Sequence, residues 1–102
     1  MSKQNNSDFT DVTIVDARRE TETDVSVVFD IGGTRQIGMF RRTFADSEIV
    51  MWNSVGEPDL FEFVLPYGPK ATKQLGRVLQ LTSLGKDAEL PVVLYKNGNT
   101  KE

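Results

Sequence analysis

With 102 residues and a formal charge of -3, the chain has room for one domain around one core and not for two. It contains no cysteine and no histidine, which excludes a disulfide frame, thiolate zinc sites and catalysis by an imidazole base. No stretch approaches the ~18 apolar residues of a membrane span, and the opening MSKQNNSDFTD lacks the apolar run of a signal peptide, so a cytoplasmic protein without a membrane partner is the expectation.

After a polar start, Thr10 to Arg18 alternates as a strand does, with Val12 and Ile14 on one face. Asp24 to Ile31 repeats the pattern more clearly: Val25, Val27, Phe29 and Ile31 point one way, and Asp24, Ser26, Val28 and Asp30 the other. Gly32-Gly33 suits a two-residue hairpin turn with positive φ at both positions, which returns the chain along Arg35 to Arg41. That turn fixes a register in which Asp24 faces Arg41, Asp30 faces Arg35, Val25 faces Phe40 and Val28 faces Ile37. A slip of one residue loses all four pairs at once.

Thr43 to Asn53 has two readings: a helix capped by Thr43 that buries Ala45, Ile49 and Trp52, or a strand around Ile49 to Trp52. The strand is preferred. Asp59 to Leu65 then reads as a further strand with Phe61, Phe63 and Leu65 on one face. Past Pro66, a helix from Pro69 to Leu84 buries Ala71, Leu75, Val78, Leu79 and Thr82, stops at Gly85, and shows Lys70, Lys73 and Arg77 on its far side. Gly76 inside it costs about 1 kcal/mol against alanine, which suggests a strand backbone close by. Leu90 to Tyr95 is the last strand, with Pro91 near its start.

The elements sum to an α+β fold: a small, twisted antiparallel sheet of five or six strands with one helix packed on it, a partly open barrel being the neighbouring possibility. The expected core is Val12, Ile14, Val25, Val27, Phe29, Phe40, Phe61, Phe63, Leu75, Val78, Leu79 and Val93. Residues 1–102 are read as one domain, with 1–8 and 96–102 loose.

Asp30-Ile31-Gly32-Gly33-Thr34 resembles the first phosphate-binding loop of the sugar kinases and their actin-like relatives, which also sits between two hairpin strands. The resemblance implies glycine backbone against phosphate and an aspartate near a metal or hydroxyl. That family also needs two ribonuclease-H-like domains, a second phosphate loop and an adenosine pocket, and the hairpin by itself accounts for both glycines and for Asp30. No cofactor and no metal is therefore expected, and the chain is read as non-enzymatic.

Charge suggests two surfaces instead. Residues 46–66 hold five acids and no base, and Trp52 lies among them, so Asp46, Glu48, Trp52, Glu57 and Asp59 form a candidate protein-binding set. Arg35, Arg41 and Arg42, with Lys70, Lys73 and Arg77, form the alternative, a basic surface for single-stranded nucleic acid near Phe40, Phe44 and Trp52. The leading expectation is an adaptor or inhibitor of the small acidic phage or mobile-element type, whose partner is another protein, itself a nucleic-acid binder in one version. A single-stranded nucleic-acid module is second. A subunit of a larger assembly, including a homo-oligomer, is third.

Overall fold

The computed structural model describes residues 10–45 and 49–95. Five strands, β1 (Val12–Arg19), β2 (Asp24–Ile31), β3 (Thr34–Ala45), β4 (Ile49–Val55) and β5 (Val92–Val93), form one antiparallel sheet in the order β4-β3-β2-β1-β5. Two helices, α1 (Leu60–Val64) and α2 (Pro69–Ser83), joined by a 3-10 turn at Leu65–Tyr67, pack on one face, which makes the fold α+β. The sheet is open, with β4 and β5 as its edges. The loose ends expected at 1–8 and 96–102 lie outside the described residues.

The β2–β3 hairpin has the register that the turn dictates, from Ile31 opposite Thr34 to Asp24 opposite Arg41. Gly32 and Gly33 take φ of 60° and 94°, which side chains rarely adopt, and a Cβ on Gly32 would stand 2.7 Å from Thr10 Cγ2. Residues 43–45 and 49–53 are strand, so the preferred reading holds and the capped helix does not form. In β1 the register shifts between Ile14 and Asp16; the extra residue in this bulge puts Ala17 opposite Val27.

Three expectations need correction. Asp59 to Leu65 is not a strand. Asp59 Oδ1 accepts the Glu62 N–H at 2.9 Å and so starts α1, whose buried residues are Leu60 and Val64, followed by Tyr67 at helical spacing. Phe61 and Phe63 only pack against the core margin, and Leu65 is exposed. The last strand shrinks to Val92–Val93, and its pairing with Ile14 and Thr13 turns Val92 inward, Val93 out to solvent at 62 % exposure, and Leu94 inward again. Gln74 holds this segment, donating from Nε2 to the Val93 carbonyl at 2.9 Å and accepting the Tyr95 N–H at 2.7 Å. Finally, no other element comes within 4 Å of a Cβ placed on Gly76, whereas one on Gly38 would meet Leu60 Cδ1 at 2.8 Å. The glycine that admits a neighbour is the one under α1.

The core fills the space between sheet and helices: Val12, Ile14, Val25, Val27, Phe29 and Phe40 from the strands meet Leu60, Val64, Tyr67, Ala71, Leu75, Val78, Leu79 and Leu94. The Phe29 and Phe40 rings lie 6.3 Å apart, and Phe40 meets Phe61 edge-on at 6.4 Å. α2 ends as expected at Gly85, with φ of 75° and Lys86 N–H donating to the Leu81 carbonyl at 2.8 Å.

Candidate functional site

Both helices pack on one side, so the alternate residues of the strands face outward, away from α1 and α2. Most are polar, as the open side of an antiparallel sheet should be. Four are not. Val28 pairs with Ile37 across β2 and β3, and Met39 pairs with Val55 across β3 and β4. Because Ile37 and Met39 are two apart on one strand, the two pairs join into a diagonal apolar strip. Ile37 is 62 % exposed, and Val28, Met39 and Val55 are half-buried. Beside the bulged β1 a hollow of about 380 Å³ opens, lined by Val28, Ile37 and Met39 together with Asp16, Arg18 and Glu20.

The rim of the strip is charged and largely paired. Arg41 donates from Nε and Nη2 to the two Asp24 oxygens at 2.9 and 3.1 Å, and this pairing holds the Asp24 carboxyl below the usual carboxylate range. Glu20 accepts from Ser26 Oγ at 2.7 Å. Arg35 Nε stands 3.9 Å from Asp30 on a mostly solvated side chain. The strip is thus an apolar centre inside a polar, hydrogen-bonded rim.

The glycine loop is occupied by its own chain. Gly33 N–H donates to Asp30 Oδ1 at 2.8 Å, and Gly32 N–H donates to the Asp11 carbonyl at 3.1 Å. Both amides that a phosphate would need are used, and a carboxylate stands on one of them. Asp30 serves the turn, and the likeness to the kinase loop stops at the hairpin.

The basic set does not converge. Arg35 and Arg41 lie on the open face, whereas Lys70, Lys73 and Arg77 lie on the solvent side of α2, with the helix layer and the sheet between them. Arg42 takes the inner parity of β3, opposite Trp52, and donates from Nη2 to the Glu22 carbonyl at 2.9 Å. Lys70 Nζ sits 4.6 Å from the centre of the Tyr95 ring. Phe40 is fully buried and offers no stacking surface.

The acidic set is scattered too. Trp52 is half-buried against the core margin on the helix side. Glu57 is exposed in the connection from β4 to α1. Asp59 caps α1, and the Glu62 N–H, with the Ser54 hydroxyl, holds its carboxyl below the usual range. Asp46 and Glu48 lie outside the described residues. The strip that the structure brings together instead, Val28, Ile37, Met39 and Val55, had one trace in the sequence: the hairpin register already set Val28 beside Ile37 on a face that is otherwise polar.

No family model, curated protein or solved structure matches this chain.

Proposed function

We propose that this chain is a non-enzymatic binding protein, an adaptor or inhibitor that acts by covering part of another protein's surface, and that it docks with the open face of its sheet. The observation that supports this is the strip centred on Ile37, which is 62 % exposed, set in a charged rim and left uncovered by either helix. Burial of such a side chain in an interface contributes about 1.5–3 kcal/mol, enough to make it an anchor. The rim charges fix orientation and steer encounter more than they add affinity.

The test compares wild-type chain with Ile37→Asp and Lys73→Glu variants as baits in crosslinking from cells that produce the protein naturally. A partner held by wild-type and Lys73→Glu but lost by Ile37→Asp supports docking through the open face. Retention by Ile37→Asp moves the surface elsewhere. Titration with a labelled single-stranded oligonucleotide at low and moderate salt covers the competing occupant: tight binding that weakens steeply with salt and is lost with Lys73→Glu overturns the protein-binding reading in favour of nucleic acid.

A further inference from the structure

The two edges of the sheet are protected very differently. β5 is two residues long, is preceded by Pro91, and is held to α2 by Gln74. β4 has seven residues, Ile-Val-Met-Trp-Asn-Ser-Val, with no charge, no proline and an unbroken register against β3 from Ala45–Ile49 to Met39–Val55. Edge strands are normally blunted by lysine, proline, a bulge or shortness, and β4 has none of these. Among the described residues, no backbone hydrogen bond reaches β4 outside its ladder with β3; α1 touches it through a donation from Phe61 N–H to Ser54 Oγ at 3.3 Å. Both faces of this edge show apolar side chains, Val50 at 37 % exposure on the helix side and Met51 at 46 % on the open side.

We propose that β4 pairs antiparallel with β4 of a second copy of this chain, joining two five-stranded sheets into one of ten strands. The strand matches itself. A two-fold axis at Trp52, its central residue, sets Val50 opposite Ser54 and Met51 opposite Asn53 of the partner copy, with every inward residue facing an inward one and no charge inside the ladder. The half-buried Trp52 then lies against its twin, which covers what the core leaves open. The apolar strip of the open face already reaches β4 at Val55, so pairing brings the two strips onto one side of a common sheet. This goes beyond the docking reading and gives it a reason, since two linked faces bind a repeated or dimeric partner with avidity.

Charge sets the sign of one distinguishing feature. Each copy carries a formal charge of -3, so pairing brings two acidic chains into contact along β4. Like net charges oppose one another, so association strengthens as salt is added. Pairing with a basic strand of a foreign protein would show the opposite dependence.

The experiment is sedimentation equilibrium of the full chain from low micromolar to submillimolar concentration, at two salt levels. A species of twice the 11.4 kDa chain mass is expected, more populated at the higher salt. Val50→Lys and, separately, Met51→Lys should abolish it with the circular dichroism spectrum unchanged; Ile37→Asp should leave it intact, which separates failure of this pairing from failure of the docking reading. Asn53→Cys supplies a single labelling site, and nitroxides there should broaden each other strongly, because the register sets the two backbones about 8 Å apart. A chain that stays monomeric throughout, a dimer that survives both lysine variants, or unbroadened labels in the dimer would each overturn the proposal.

Discussion

The two faces of this sheet are built from the same strands, one residue out of step, and they have opposite fates. Inward, Val25, Val27, Phe29 and Phe40 lose essentially all contact with water beneath α1 and α2. Outward, Ser26, Val28, Asp30, Ile37, Met39 and Arg41 alternate with them, and among the described residues no helix covers them. Apolar residues thus occur on both faces, but only the inner set is packed beneath the helices. The stability of the protein should therefore depend on the inner face, and its contacts with other molecules on the outer face and its edge.

The most severe way to break this contrast is on the inside. Phe29 is fully buried against the Phe40 ring, and Phe29→Ala is expected to cost about 3–5 kcal/mol, a large part of what a domain of this size has. Urea denaturation followed by Trp52 emission measures it, and a loss below about 1 kcal/mol would mean that the site can collapse around the gap. Gly38 gives a second inner-face test. It lies opposite Val27 beneath Leu60, and a valine there would drive its side chain into Leu60 and lift α1, for an expected loss of about 1–3 kcal/mol. Leu60→Ala in the same chain should return part of that loss, because the clash is with that side chain.

How much of this could be read in advance differs between the hairpin and the α1 region for a physical reason. In residues 24–41, alternation, a glycine pair and two charge matches all select one register, and the observed ladder is that register. In residues 59–67, two periods compete over too short a span: Phe61, Phe63 and Leu65 alternate as in a strand, whereas Leu60, Val64 and Tyr67 follow the helix. α1 has only five residues, too few for periodicity to decide, and the deciding feature is the cap, Asp59 three residues before Glu62. The outer strip was harder still to see. Val28 and Ile37 are single apolar residues in polar alternation, and joining them to Val55 needs the β3–β4 register, which no turn signal in the sequence specifies.

Changes of pH act on the rim, on the Asp59 cap of α1 and on one inner-face hydroxyl, with a smaller effect than either core substitution. Asp24 is held below its ordinary pKa by Arg41, so the folded state binds that proton less readily than the unfolded chain. The resulting stability is complete above the unfolded value of about 3.9 and is lost as pH falls through the folded value. Tyr67 has the opposite sign. Burial raises its pKa, and its hydroxyl donates to the Thr10 carbonyl at 2.7 Å. Its contribution is complete below the unfolded value of about 10 and is lost as pH rises through the folded one. Urea midpoints should therefore be level in between, with an acid limb that Asp24→Asn shortens and an alkaline limb that Tyr67→Phe shortens. Unchanged limbs in these variants would assign the titrations to other groups.

The smallest expected effect on stability is the most informative about function. Ile37→Ser removes a large apolar side chain from a strand, a change that on the inner face would cost several kcal/mol. Ile37 is solvated in the folded state much as it is in the unfolded one, so its removal should shift stability by no more than about 0.5 kcal/mol. A larger loss would mean that Val28 and Met39 depend on it and that the strip is a small second core. If the loss is small, a strongly apolar side chain sits where the fold gains little from it, and the same variant should then lose the partner that wild-type chain retains. Stability and binding would thus separate at a single residue, which neither face can show at Phe29.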